Sequence, residues 1–408
     1  MMKKFLFSVF AIASLGFATS CSDDDNGGPD ETPQGTEVKK SGFITANETW
    51  DSDNVYILDG KVVVSEGATL TIEAGTIIKG AEGREANASA LVVDQGGKLM
   101  ANGTADKPII FTSVLDNIKH GEKAGTNLTV EDMGLWGGII VLGRAPISVS
   151  GDLETKQIEG IPANESYGQY GGTNVADNSG SLKYISIRHG GILIGQDNEI
   201  NGLTLGGVGT GTVIENIEVV ANQDDGIEWF GGSVNATNLL VWACGDDGLD
   251  TDMSYSGTAK NALIIQGNES GSALELDGPE GSAATENGFT LQDITINGNN
   301  KLTLIADLRD GLIANLNNVF VYNIAAGSSV KVNGEESLKE LAADRIKFSK
   351  WEIVVPGTTT LTELITGAGV NAPKFVTNAA VLTSASQATV GANVSVFGWT
   401  YAKSKSAF

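Results

Sequence analysis

Carboxylates recur at a near-constant spacing in the middle of this 408-residue chain. The run Asp224-Asp225-Gly226-Ile227-Glu228-Trp229 returns as Asp246-Asp247-Gly248-Leu249-Asp250-Thr251. A looser copy, Ala273-Leu274-Glu275-Leu276-Asp277-Gly278, comes one similar step further on. A unit this short cannot bury a core alone, so the repeat predicts stacked units. Each copy reads as a short strand with alternating faces: Ile227, Leu249 and Leu274 point one way, Glu228, Asp250 and Glu275 the other. Stacked as rungs of a parallel β-helix, the three acids form a column with rungs about 4.8 Å apart. Like charges at that separation repel by roughly 3–4 kcal/mol at an effective dielectric near 20. A bound cation, raised carboxylate pKa values or splaying into water would each relieve the repulsion. Clustered hard oxygen ligands suit calcium. Glu228, Asp250 and Glu275, with Asp252 and Asp277 beside them, are therefore the expected metal ligands. A solvated acidic face without a specific ion is the plainer alternative.

A second column beside the first reads Phe230, Asp252, Asp277. An aromatic ring beside acids is a common way to hold a sugar face. Phe230 is therefore a candidate ligand contact, together with Tyr167 and Tyr170 from the polar, Gly-rich insertion Asp152–Ser179. Another unperiodic stretch, Asp116–Met133, is also expected to be a lateral loop, and such loops often build the binding surface of a solenoid. Aligning neighbouring coils gives the order Leu193, Glu228, Asp250, Glu275, Ile313. The acids then form a bounded patch between apolar residues.

The elements that must carry this patch are short strands separated by glycine. Lys61-Val62-Val63-Val64-Ser65-Glu66-Gly67-Ala68-Thr69-Leu70 aligns with Ala90-Leu91-Val92-Val93-Asp94-Gln95-Gly96-Gly97-Lys98-Leu99, with Val62, Val64 and Leu70 falling on Leu91, Val93 and Leu99. Tyr184–Arg188 aligns with Asn216–Val220 in the middle coils. The 53 glycines against 8 prolines point to many tight turns. The expected fold is all-β, a right-handed parallel β-helix with lateral loops. Near the C-terminus Glu335–Ala343 has a helical stripe, and Thr360–Ile365 is a second short helix. These helices are expected to belong either to a lateral loop or to a cap over the open end, where strand edges would otherwise be unpaired. Residues 374–408 read as a last strand pair with a closing plug at Phe397–Trp399.

The N-terminus reads as a targeting segment. Lys3 and Lys4 precede an apolar run, Phe5 to Phe17, too short to span a bilayer, and residues 1–20 read as a secretory signal. The small residues Ala18-Thr19-Ser20 before Cys21 resemble a bacterial lipobox, with Ala18 where Leu is usual. That resemblance implies cleavage and acylation of Cys21. The acidic, Gly-rich Ser22–Gly28 resembles the surface-export signal of Bacteroidota lipoproteins. Residues 21–41 are expected to be a disordered tether, and 42–408 a single β-helix domain with its C-terminal cap.

Gly67-Ala68-Thr69-Leu70-Thr71-Ile72-Glu73-Ala74-Gly75-Thr76-Ile77-Ile78-Lys79-Gly80 carries a wider resemblance. So do Gly97–Thr104, Lys107–Ser113, Leu135–Gly143 and the closing Phe397-Gly398-Trp399-Thr400. Over most of residues 42–400 the chain is similar to Bacteroidota-type surface lipoproteins with a right-handed parallel β-helix (pectin-lyase-like) body. The resemblance implies an outer-membrane lipoprotein, exposed at the cell surface and held to the membrane through its lipid.

With 26 basic and 50 acidic residues the net charge is −24, which argues against nucleic acid and against anionic membrane surfaces as partners. His120 and His189 are the only histidines and Cys244 is the only cysteine besides Cys21, so the chain lacks zinc spacing. It also lacks a nucleophile elbow, a P-loop and a dinucleotide fingerprint. The expected function is non-catalytic binding or adhesion to a glycan or a surface protein, with calcium stabilising the coils. The alternative is a polysaccharide lyase or glycoside hydrolase on the same scaffold. β-Helix lyases pair calcium-binding acids with an Arg or Lys base, but Arg188 falls opposite Val220 on a different side and is expected to be structural. Two acyl chains hold a protein on a membrane where one is marginal. Cys21→Ala should therefore move the protein from the membrane to the soluble fraction, with labelled fatty acid incorporated only into the wild type.

Overall fold

Runs such as Ala90–Val93 and Ile139–Leu142 carry apolar residues at every position, and every one of them is buried. Continuous burial is what parallel strands covered on both faces require. The computed structural model describes residues 35–84, 87–192, 200–279, 281–282, 288–301 and 304–408. Cys21, the signal segment and most of the expected tether lie outside these residues, as does Leu193. Gly35–Phe408 forms one compact unit.

The strands stack in parallel as a right-handed β-helix with three sheets. One sheet contains Ile139–Leu142, Leu203–Gly206, Ile227–Phe230, Leu249–Asp252, Leu274–Leu276, Leu304–Leu308 and Ser329–Val332 in succession. The other two are joined by long strands that turn a corner, such as Val213–Val220, Ala236–Trp242 and Thr258–Ile265. Ile227, Leu249 and Leu274 are paired in register and fully buried in the main core. A small antiparallel pair, Lys156–Gln157 with Gln169–Tyr170, lies outside the coils.

The corner has a specific chemistry. Tyr184, Asn216, Asn238, Asn261, Asp293, Asn318 and Lys350 occupy the same corner of successive coils, all with φ between 50° and 60°. Asn and Asp tolerate this left-handed conformation better than other residues with a Cβ. Their amides also bond along the stack: Asn238 Nδ2 donates to Asn216 Oδ1 at 3.0 Å, and Asn261 Nδ2 to Asn238 Oδ1 at 2.7 Å.

Two boundaries differ from the sequence expectation, and the two expected helices form where they were placed. The body begins earlier, because Thr36–Ile44 is a strand paired in parallel with Asn54–Val64. Its polar residues look like linker because this first strand is largely exposed. At the other end, Gly334–Ala342 and Leu361–Leu364 are helices, the second started by a reciprocal capping box between Thr360 and Glu363. The segment 374–408 is not a strand pair and plug. After the strand Ala379–Leu382 the chain reverses and runs back along the outside of the coils. Thr295 Oγ1 accepts from Ala392 N at 2.8 Å and Asn261 Oδ1 from Asn393 N at 2.6 Å. Glu218 then accepts from Tyr401 N at 3.0 Å and Ala402 N at 2.8 Å. Phe397 packs on outward-facing Leu240, Leu263 and Ile265, so the apolar run near the terminus covers a flank instead of an end.

Leu249 is fully buried between two counterparts, so truncation removes packing against both neighbouring coils. Leu249→Ala should cost about 2–5 kcal/mol in chemical denaturation.

Candidate functional site

The site begins with the repeated Asp-Asp-Gly turn. A Cβ on Gly226 would lie 2.5 Å from Val241 Cγ1 and 2.6 Å from Gly248 O, so the turn closes on its neighbours only without a side chain. The second Asp of each pair ties one turn to the next. Asp225 Oδ1 accepts from Asp247 N at 2.8 Å, and Asp247 Oδ1 accepts from both Ser272 N and Ser272 Oγ. The first Asp of each pair faces outward, Asp224 half-buried and Asp246 exposed.

The strand that follows places Glu228 above Asp250 and Asp250 above Glu275. The ends of this column differ from the sequence expectation. Thr204 pairs with Glu228, while Leu193, expected there, lies outside the described residues, and Asp307, not Ile313, pairs with Glu275. Insertions of unequal length between coils shift the register away from that of a constant period. The column therefore reads Thr204, Glu228, Asp250, Glu275, Asp307, Lys331, with four acids ending on a lysine.

Asp225, Glu228 and Asp250 converge. Each is at most 7% exposed, and their carboxylate oxygens lie within 4.8 Å of one another. Asn201 Nδ2 donates to Glu228 Oε2 and reaches Glu159 Oε1 of the lateral loop at 3.3 Å. Asp250 Oδ1 is buried and has no hydrogen-bond partner among the described residues. Among the described residues no Lys or Arg forms an ion pair with any of the three. Burial first, and then neighbouring carboxylates, hold all three pKa values well above the ordinary range. They open onto a cleft of about 450 Å³ in which eight of ten lining residues are Asp or Glu. A second depression of about 460 Å³, lined by Ser272, Glu275, Leu304 and Ser329 among others, shares Asp246, Asp247 and Glu275 with it.

Glu275 and Asp277, expected in the same metal set, are held differently. Coil alignment from sequence places no base beside the acids. In the structure Arg309 pairs with Glu275 through Nη1 and with Asp277 Oδ2 through Nη2 at 2.8 Å. Burial works against the charge of Arg309. Its hydrogen bond to Asp277 and the nearby acids more than offset that, and its pKa lies above the ordinary value. Lys331 lies 3.4 Å from Asp307 Oδ2. Asp252 is half-buried and its charge acts on Glu228 and Asp250. The turn residues Asp225 and Asp247 escape sequence reasoning as site groups, although the duplicated Asp-Asp-Gly is the available signal.

The aromatic candidates are corrected. Tyr167, Tyr170 and Phe230 are all buried in a secondary apolar cluster with Ile147, Ile158 and Met253. Tyr170 Oη contacts Met253 Sδ at 3.0 Å, and the Tyr170 and Phe230 rings meet edge-on at 5.9 Å. They fasten the lateral loop to the coils and offer no open face to a sugar. Arg188 is structural: it is buried, donates to Ser186 Oγ and Lys123 O, and lies 4.4 Å from the Tyr401 ring under the C-terminal strap.

The molecule is thus a parallel β-helix with an outward carboxylate cleft on one sheet. The family model described as pectate-lyase like beta helix domain matches residues 42–403, and the chain belongs to that family. Comparison with curated proteins and with solved structures returns no match.

The raised pKa values fix a pH dependence. A carboxyl whose folded pKa is raised contributes stability that is complete below its unfolded value, about 4. That contribution is lost as pH climbs through the folded value. The window runs up to about 6 for Asp247 and Asp277 and about 8 for Glu275. Metal-free protein should therefore melt at a lower temperature at pH 8 than at pH 5 in scanning calorimetry.

Proposed function

We propose that this protein is a lipoprotein anchored through Cys21 at the outer face of the cell envelope, and that its β-helix binds a glycan without catalysis through a divalent cation. The observation that carries the proposal is the buried triad Asp225, Glu228 and Asp250, which among the described residues has no paired base and leaves Asp250 Oδ1 unsatisfied. Three carboxylates supply hard oxygen ligands and a formal charge that suits calcium, which takes six to eight oxygens at about 2.3–2.6 Å. The cleft side leaves coordination positions for water or for sugar hydroxyl and carboxylate oxygens. A polar cleft of about 450 Å³ suits a sugar unit better than a flat protein face. A surface protein is the other outcome of a binding screen.

The enzymatic alternative draws on two features: the family's pectate-lyase-like scaffold, and Arg309 at the edge of the acid column. Arg309 is committed to Glu275 and Asp277 with its charge reinforced, so it is poorly suited to take a proton. Protonated and ionised carboxyls side by side would serve hydrolysis better than elimination. A glycan array with and without chelator, followed by a product assay on any hit, separates binding from turnover.

Metal-free protein titrated with calcium should show one saturable heat and a rise in melting temperature, because a ligand that binds only the folded state stabilises it by about 2.7 kcal/mol at one hundred times Kd. Asp250→Asn should lose the heat. At pH 8 without metal it should be more stable than wild type, because the buried charge is gone. An Asp250→Asn chain that still binds calcium like wild type would remove the triad from consideration.

A further inference from the structure

The acid column is continuous, but its charge balance is not. At the near end Asp225, Glu228 and Asp250 have no paired base among the described residues. At the far end Glu275, Asp277 and Asp307 are met by Arg309 and Lys331. The far end is otherwise built from the same parts. Asp277 is 3% exposed and Asp307 6% exposed, and each keeps one buried oxygen, Oδ1, without a hydrogen-bond partner among the described residues. Glu275 and Asp307 are directly paired across adjacent coils.

Arg309 occupies the position that distinguishes the two ends. It leaves the strand Leu304–Leu308, where Arg309 N donates to Leu276 O at 2.9 Å. Its planar fork then spans Glu275 and Asp277, acids two residues apart on the preceding coil. A guanidinium held between two carboxylates satisfies them with fixed positive charge, and it repels any cation that approaches the same oxygens.

We propose that Arg309 is a specificity-determining residue that confines divalent-cation binding to the Asp225–Glu228–Asp250 end of the column, acting as an internal substitute for a second ion at Glu275, Asp277 and Asp307. The proposal rests on the cation reading given above. Arg309 acts through its two carboxylate partners and need not touch the bound ion. The consequence for function is a single ion at one end of a longer cleft. Sugar units further along would meet Ser272, Ser329 and an already neutralised Glu275 instead of a second metal.

The test is a count of bound ions. The full chain is purified in calcium, dialysed to equilibrium against defined free calcium, and the metal per chain measured. Wild type should hold one ion, R309Q two, and R309Q with Glu275→Gln one again. R309K keeps a positive charge at the position and should hold one, so two ions in R309K would overturn the charge-exclusion role. One ion in both wild type and R309Q would overturn the proposal while leaving the triad site intact. No ion in either chain would overturn both. A purely structural Arg309 would lower the melting temperature of R309Q without changing the count.

Discussion

In-register parallel stacking places each residue directly against its counterpart one coil away, and the rest of the molecule answers to that constraint. A side chain that fits once is repeated in a column, and so is a side chain that conflicts. In the interior the repetition is favourable. Ile227, Leu249 and Leu274 bury apolar surface against one another with no change of register. At the corner it is also favourable, because an Asn amide both donates and accepts and can bond to the Asn above and below. For carboxylates on the outward face the same geometry is unfavourable unless something intervenes.

Along the acidic column three different groups meet that problem. Asp225 and Asp247 spend an oxygen on backbone N–H groups of the next turn, which converts a like-charge stack into a staple between coils. Glu275, Asp277 and Asp307 take Arg309 and Lys331. Among the described residues Glu228 and Asp250 have neither kind of relief, and burial under the lateral loop adds to the cost. Natural structures retain such local conflict mainly where a ligand resolves it. The loop itself is fixed by apolar packing of Tyr167, Tyr170 and Phe230 on the outer face of the same sheet. One sheet thus carries an apolar mooring at its early coils and a carboxylate cleft directly after it.

Stacking also leaves a weakness, since each coil of a solenoid contacts chiefly its neighbours. The C-terminal segment answers it by running back over many coils, bonded to Glu352, Thr295, Asn261 and Glu218 in turn. The buried Arg188 lies beneath Tyr401 at the far end of this strap. A charged residue that resembled a catalytic candidate is there to dock the terminus.

The architecture was legible in the sequence, because strand period, glycine punctuation and the Asp-Asp-Gly repeat are local and survive without tertiary information. Ile227, Leu249 and Leu274 as interior residues followed from alternation alone, as did Glu228, Asp250 and Glu275 as outward neighbours. The ends of the acid column were not legible. Insertions of unequal length between strands make the register at Thr204 and Asp307 a matter of which backbone groups pair. The ion pairs of Arg309 and the burial of Tyr167, Tyr170 and Phe230 depend on which chain segment folds over which face. So does the path of the C-terminal segment, whose apolar positions suit an end cap and a lateral strap equally well. Local spacing determined the repeating coil, and only the packing of distant segments decided which of its carboxylates are buried and which are paired with a base.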